Sequence, residues 1–329
     1  MLIGLCGGLC AGKRAVATFL VDVLEFTELV LVEEQDDDGS PTPDVSPNPG
    51  VISFNNVQDL MDYITPRWTQ RFVLTAIKDK KVLDELSTRP FFILIGVDAP
   101  VCVRWARCVK RREATGAPSI ALEDFLRHSD KQMYDPVTGI IGIVDRATIK
   151  LVNLDNSLAA LHRKLVYLNL TDSERLRPGW DAYFMQLASL AAKRSNCMKR
   201  RVGCVLVREK RVIATGYNGA PRGLKNCNEG GCARCNGGSA GGTALDACMC
   251  LHAEENALLE AGRERVGAGA TLYCDTCPCL TCSIKIVQVG ISEVVYYQGY
   301  SMDAQTAAIL KDSGVKLRQY HPPKDGVVG

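Results

Sequence analysis

The sequence predicts two α/β domains in tandem, on three observations. Residues 2–5 (LIGL), a glycine-rich turn and an apolar-periodic stretch over 13–24 follow one another, the strand, turn and helix order of an α/β unit. From residue 180 onward, strand patterns alternate again with helical ones, which implies a mixed or parallel sheet flanked by helices. Between them lies a polar stretch ending in Pro-Gly, 171–179 (TDSERLRPG), so the boundary is placed there, with one domain over 1–170 and a second over 171–329. A length of 329 residues suits two cores of about 100 to 200 residues each.

Within the first domain, helical spacing runs through Val16, Phe19, Leu20 and Val23. Residues 33–50 (EEQDDDGSPTPDVSPNPG) are acidic, proline-rich and without apolar period, and are expected to form a disordered surface insertion. An amphipathic segment is predicted over 60–74, a strand buried on both faces at 91–97 (FFILIGV) and a basic helix over 104–112. In the second domain, Pro178 is expected in the first turn of a helix through Trp180, Phe184, Leu187 and Ala191, where no amide donor is needed. Strands follow at 202–207 and 212–217, joined by the turn 208–211. A helix is predicted near His252, a strand at 271–274, a helix over 279–289, a strand at 293–297, a helix at 304–311 and a strand at 315–320.

Composition limits the function classes. With 47% hydrophobic residues, 23% charged residues and no apolar run near the ~20 needed to cross a bilayer, the chain does not read as membrane-spanning. Its 39 basic and 37 acidic residues leave a net charge of +2, so any anionic ligand must be held by a local pocket. The unusual number is 15 cysteines. The amino terminus has no basic n-region or apolar core of a signal peptide, so the expectation is a reducing compartment, cytoplasm or nucleus. Nine cysteines fall between Cys227 and Cys282, a density that random burial does not explain.

A catalytic metal site can be assembled from 252–254 (HAE) and 278–282 (PCLTC). Cys279 and Cys282, three apart at a helix start, share one face, and the amino-terminal end of a helix favours thiolates. With His252 they offer one imidazole and two thiolates to Zn²⁺, leaving the fourth tetrahedral position open, as in a catalytic site. Glu254, two residues from His252, can face the same cleft without ligating and move protons there. The pairing H-x-E with P-C-x-x-C is the signature of zinc nucleobase deaminases. A second cysteine group, Cys227, Cys232, Cys235, Cys248 and Cys250, crowds an insertion rich in glycine that buries little apolar surface. A closed structural zinc on Cys227, Cys232, Cys235 and Cys248, with Cys250 as the alternate, is expected to hold it. Cys274 and Cys277 read as packing residues.

From 177 to 321 the chain resembles the deoxycytidylate deaminase family, through RPGWDAYFMQLASLAAKRSNC, RRVGCVLV, TGYNGAPRGL, LHAEENALLEAG and PCLTCSIKIVQVGI in order. The resemblance implies a cytidine-deaminase-like α/β/α sandwich, a homohexamer, and conversion of dCMP to dUMP for thymidylate synthesis. It also implies activation by dCTP with Mg²⁺ and inhibition by dTTP. Asn218, in the turn 216–219 (GYNG), is then expected to hold sugar or base besides shaping the turn. Lys199 and Arg201, and Tyr300 by family position, become candidate phosphate contacts, and the 217–223 loop, with Tyr217, Gly219 and Arg222, the candidate effector site. Two other readings are weighed. A structural-zinc nucleic-acid-binding protein fits poorly with 6% aromatic residues and leaves Glu254 unexplained. The same zinc chemistry on an RNA base, a free nucleoside or a pteridine-like ring is compatible with the motif.

In the first domain, 7–14 (GGLCAGKR) matches the phosphate loop G-x-x-x-x-G-K through Gly7, Gly12 and Lys13, with Arg14 where a Mg²⁺-binding hydroxyl belongs. With 97–112 and 143–161, this stretch resembles P-loop nucleoside-monophosphate-kinase-type domains, close to dephospho-CoA kinase. Loss of the hydroxyl and of a clear catalytic acid implies a degenerate kinase, acting as scaffold or nucleotide sensor.

Overall fold

The computed structural model describes residues 1–32, 50–154, 157–240, 243–299, 304–323 and 326–328. The acidic insertion expected over 33–50 and Tyr300 therefore lie outside the described residues, apart from Gly50. The chain divides into two compact units, Met1–Arg177 with Pro323–Gly329, and Pro178–Pro322. The break follows residue 177 rather than 170 because Leu170 and Leu176 still pack on the first core. The tail departs from the expected 171–329 domain, since its last strand pairs in the first unit's sheet.

Elements of the first unit are β1 (Leu2–Cys6), α1 (Lys13–Leu24), β2 (Thr27–Leu31), β3 (Ile52–Phe54), α2 (Val57–Ile64), β4 (Phe72–Leu74), α3 (Lys80–Ser87), β5 (Phe92–Asp98), α4 (Val101–Ala114), α5 (Leu122–Tyr134), α6 (Ile141–Asp145), β6 (Ile149–Val152) and α7 (Leu158–Leu168). The second unit comprises α8 (Trp180–Ala192), β7 (Gly203–Arg208), β8 (Arg211–Tyr217), α9 (Ala233–Asn236), α10 (Ala253–Val266), β9 (Thr271–Thr276), α11 (Leu280–Val289), β10 (Glu293–Gln298), α12 (Ala304–Asp312) and β11 (Lys316–Gln319), after which β12 (Gly326–Val328) returns to the first.

The first sheet runs β12-β6-β5-β1-β4-β2-β3 with every pairing parallel. Parallel strands covered on both faces need apolar residues on both, which is why 91–97 reads as an unbroken apolar run. Ile93, Ile95 and Val97 face one core while Leu94 faces the other. The predicted 60–74 segment is two elements. Helix α2 stops at Ile64, Pro66 sits in the following 3₁₀ turn where it cannot donate to a continuing helix, and Phe72–Leu74 enters the sheet as β4.

The second sheet, β11-β10-β9-β7-β8, is mixed, with β7 antiparallel to β8 and β9 while β9, β10 and β11 run parallel. Alternation along β7 explains its three layers. Val205 and Val207 pack with Phe184, Met185 and Ala188 of α8, whereas Cys204 and Leu206 face Ala253 and Ala257 of α10, Ile286 of α11 and Leu310 of α12. Pro178 lies one residue ahead of Gly179, the N-cap of α8, and so outside the first turn where it was expected. Among the described residues, no helix is long and apolar enough to cross a membrane.

Asp181 ties the start of α8 to this sheet. It accepts from Arg318 Nη1 (2.5 Å) and Nη2 (3.1 Å) of β11 and from the Tyr273 hydroxyl of β9 (3.0 Å). Hydrogen bonding from Arg318, supported by Tyr273 and opposed by partial burial, holds the Asp181 carboxyl below its ordinary range. A depressed folded pKa means stability that is present above the unfolded value near 4 and lost as pH falls through the folded one. Asp181→Asn is expected to destabilise the second unit by about 1 kcal/mol at neutral pH, after allowing for solvent screening of a partly exposed pair. In thermal melts the gap between variant and wild type should narrow as pH drops below about 4; a gap independent of pH would contradict this assignment.

Candidate active site

Two helix starts build the site. His252 is the N-cap of α10, and Cys279, three residues after β9 ends at Thr276, is the N-cap of α11, with Cys282 in its first turn. Strand β8 approaches α10 so closely that a Cβ on Gly216 would stand 2.0 Å from the Ala253 carbonyl oxygen, so only glycine allows this packing. The result brings His252 Nδ1 to 3.4 Å from Cys279 Sγ and 3.3 Å from Cys282 Sγ. A tetrahedral zinc with Zn–N of about 2.0 Å and Zn–S of about 2.3 Å needs an N-to-S separation of roughly 3.5 Å. All three donor atoms lie within 4.8 Å of one another, so the set fits such an ion while providing three of four ligands.

Electrostatics favour the thiolate at Cys279, while hydrogen bonding to Cys279, with burial, pushes the Cys282 thiol up, and hydrogen bonding with Cys279 raises His252. Hydrogen bonding from Cys282, then from His252 and Thr281, outweighs burial and holds the Cys279 thiol down to about 3. Thr281 Oγ1 lies 3.1 Å from that sulfur, a contact the spacing of the motif did not reveal. Glu254, in the first turn of α10, is 4% exposed, and burial pushes its carboxyl up to about 7. A carboxyl poised near neutrality can both accept and return a proton, as a general acid and base must.

Asn218 is buried, and its side chain closes a network around the turn after β8. Its Oδ1 accepts from Val202 N (2.8 Å) and Ser195 Oγ (2.7 Å), and its Nδ2 donates to the Arg200 carbonyl (2.8 Å). Neither Asn218 nor Gly219 has a positive φ, so the turn needs no left-handed residue at either position. Gly219 instead pairs with Leu251 through two backbone hydrogen bonds, which places the turn beside His252. Lys199 and Arg201 are exposed, with Lys199 Nζ bonded to the Ser239 carbonyl. Tyr217 is half-buried, its carbonyl accepting from Asn256 Nδ2 (3.0 Å), and Arg222 is exposed.

The insertion cysteines gather into two groups of four, Cys197, Cys227, Cys235 and Cys250, and Cys232, Cys235, Cys248 and Cys250, each with its sulfurs within 4.8 Å. The predicted quartet Cys227, Cys232, Cys235 and Cys248 is neither of these, whereas the alternate, Cys250, in place of Cys227 gives the second group. Cys227 lies on the Cys197 side, where Met198 N donates to its sulfur (3.4 Å). Cys197, 30 residues before Cys227, carries no spacing signal and was missed; proximity in the fold alone reveals it. Cys204 and Cys274 are register partners buried between β7 and β9, as packing residues should be.

In the first unit, the turn between β1 and α1 holds Gly7 (φ 134°) and Gly12 (φ 114°) in conformations that side chains resist. Lys13 Nζ donates to the Gly7 (2.8 Å) and Gly8 (2.9 Å) carbonyls, and burial pushes its ammonium down to about 8.

Residues 178–298 match the family model of the cytidine and deoxycytidylate deaminase zinc-binding region. The deoxycytidylate deaminase of Schizosaccharomyces pombe is 50% identical over 327 residues, covering 99% of each chain. That of Saccharomyces cerevisiae is 44% identical over 329 residues, 97% of this chain and 96% of its own. The apo dCMP deaminase structure of cyanophage S-TIM5 is 28% identical, covers 44% of this chain and 99% of that one, and superposes with a TM-score of 0.35. Identity at this level along nearly the whole length of the two yeast proteins places the chain in the deoxycytidylate deaminase family.

Proposed function

We propose that the chain hydrolyses dCMP to dUMP and ammonia at His252, Glu254, Cys279 and Cys282, supplying dUMP for thymidylate synthesis. The observation that carries this reading is a buried carboxyl beside three converging nitrogen and sulfur donors. Zn²⁺ in that donor set supplies the Lewis acidity that makes water nucleophilic near neutral pH. Glu254 accepts the proton of the attacking water as it adds to C4 of the cytosine ring. It passes that proton to N3, then takes the second proton from the hydroxyl now on C4 and delivers it to the exocyclic nitrogen, so that the C4–N bond breaks, ammonia departs as a neutral leaving group and the C4 carbonyl of uracil remains. Burial of Glu254 keeps bulk water from competing for those protons.

Asn218 suits a substrate contact because one of its two amide hydrogens goes to Arg200 while the other has no partner among the described residues. Lys199 and Arg201 are the proposed phosphate partners, and Tyr300 belongs to the same proposal on the family resemblance. The loop 217–223, with Tyr217, Gly219 and Arg222, is the proposed site for dCTP with Mg²⁺ as activator and dTTP as inhibitor, in a homohexamer. For the first unit we propose a degenerate P-loop fold. The β1, turn and α1 order and the half-buried Lys13 support this reading, as does Arg14 in place of the hydroxyl that holds Mg²⁺.

Glu254→Gln should retain its metal content yet lose kcat by about 10²- to 10⁴-fold, the usual worth of a positioned acid and base; wild-type turnover would sink the mechanism. Loss of cytosine absorbance, followed with dCMP, CMP and deoxycytidine, each with and without dCTP or dTTP, should be fastest with dCMP and respond to both effectors. Equal rates on deoxycytidine would remove the phosphate contacts from the reading. Full-length Lys13→Ala should show the same ATP hydrolysis as wild type, indistinguishable from background, and Lys13-dependent turnover would show that the first unit is an active phosphotransferase.

A further inference from the structure

The segment 226–250 folds without an ordinary core. Among the described residues, the buried cluster there consists of cysteines alone, with Cys227, Cys232, Cys235 and Cys250 buried and Cys197 and Cys248 packed against them. None of the six is in a disulfide. Six thiols in contact offer no more apolar burial than six small hydrophobes, too little to order a glycine-rich loop.

Their arrangement has a specific count. Each group of four could surround one ion, and the two groups share Cys235 and Cys250. Two four-coordinate ions need eight metal–sulfur bonds. Cys197 and Cys227 as terminal ligands of one, Cys232 and Cys248 of the other, and Cys235 and Cys250 bridging both supply eight. A single ion would leave two of the six sulfurs idle. The spacing agrees as well. Cys235 Sγ lies 3.7 Å from Cys197 Sγ and 3.8 Å from Cys248 Sγ, against about 3.8 Å for the edge of a tetrahedron with Zn–S bonds near 2.3 Å. A disulfide would require about 2.0 Å.

Two dications on six thiolates carry a net charge of −2, and the surroundings answer it. The Arg234 guanidinium, only 9% exposed, directs Nη1 at Cys248 Sγ (3.8 Å) while its Nε donates to the Thr243 carbonyl (2.8 Å). Met198 N and Asn236 Nδ2 donate to Cys227 Sγ at 3.4 and 3.8 Å. Such N–H donors and a buried cation are what a thiolate cluster needs around it.

We infer that Cys197, Cys227, Cys232, Cys235, Cys248 and Cys250 form a binuclear thiolate centre for two tetrahedral soft divalent cations, Zn²⁺ by donor chemistry, with Cys235 and Cys250 bridging. Its place in the chain makes it a clamp on the catalytic unit. Cys197 follows Ser195, which bonds Asn218, and Cys250 precedes Leu251, which pairs with Gly219, and His252. The two segments that frame the candidate active site are thus tied through one inorganic core. The inference stands on the six sulfurs and does not depend on the reaction proposed for His252 and Glu254.

Metal analysis and native mass spectrometry of the full-length chain should find three zinc ions, with the six cluster cysteines resistant to alkylation until the protein is denatured. Cys279→Ser should lose one ion while the six thiols stay protected; if it loses none, the active-site assignment fails and the cluster does not. Cys197→Ser should cost one further ion at most and Cys235→Ser two, because the latter ligates both. A cluster complement of one ion or none in the wild-type chain, or two cluster thiols alkylated in the native state, would overturn the binuclear centre. Those wild-type measurements decide the matter even where the cysteine variants do not fold.

Discussion

The catalytic unit depends on the convergence of two helix starts. An imidazole and two thiolates cannot be held a few ångströms apart by a flexible chain, because each side chain would lose its rotamer freedom without compensation. Here the N-cap positions of α10 and α11 fix His252 and Cys279, and the first turn of α11 fixes Cys282. Both helices lean on the same sheet face through Ala253, Ala257 and Ile286. The free amides and positive end of α11 favour the thiolate at Cys279, so the geometry that positions this donor also prepares it to ligate.

The same scaffold decides what Glu254 can do. Two residues beyond the N-cap, it is carried into the protein with His252, and burial lifts its carboxyl to about 7. On an exposed turn the same residue would stay ionised at neutral pH and be a weaker base toward the attacking water. Asn218 completes the frame from the other side, since its hydrogen bonds to Ser195, Arg200 and Val202 lock the turn after β8 against the segment entering β7.

Cysteine serves several physical ends in this unit. Cys279 and Cys282 converge on an imidazole and are tuned by hydrogen bonding. Cys204 and Cys274 are plain packing residues between two strands, with burial keeping Cys274 protonated well above its ordinary range. Around Cys235, six cysteines make up the buried cluster found in the insertion among the described residues. What separates these roles is the surroundings of each sulfur, which residue type alone does not state.

Local patterns were legible in the sequence. Apolar periodicity placed α1 over its observed span, the unbroken run at 91–97 marked a strand buried on both faces, and the H-x-E and C-x-x-C spacings marked the two helix starts. These signals are short-range, set by residues within a turn or two of one another. Helix α2 and strand β4 merged into one amphipathic segment, because short elements around a proline carry too few residues to show a period. The return of β12 to the first sheet and the pairing of Cys197 with cysteines 30 or more residues away left no local trace. Residue types and spacing by themselves determined the family chemistry: which groups could hold a metal and which could carry a proton. Which cysteines come close enough to share an ion, and how far burial pushes Glu254 up, only the tertiary structure decided, because both follow from distances and burial created when remote segments pack.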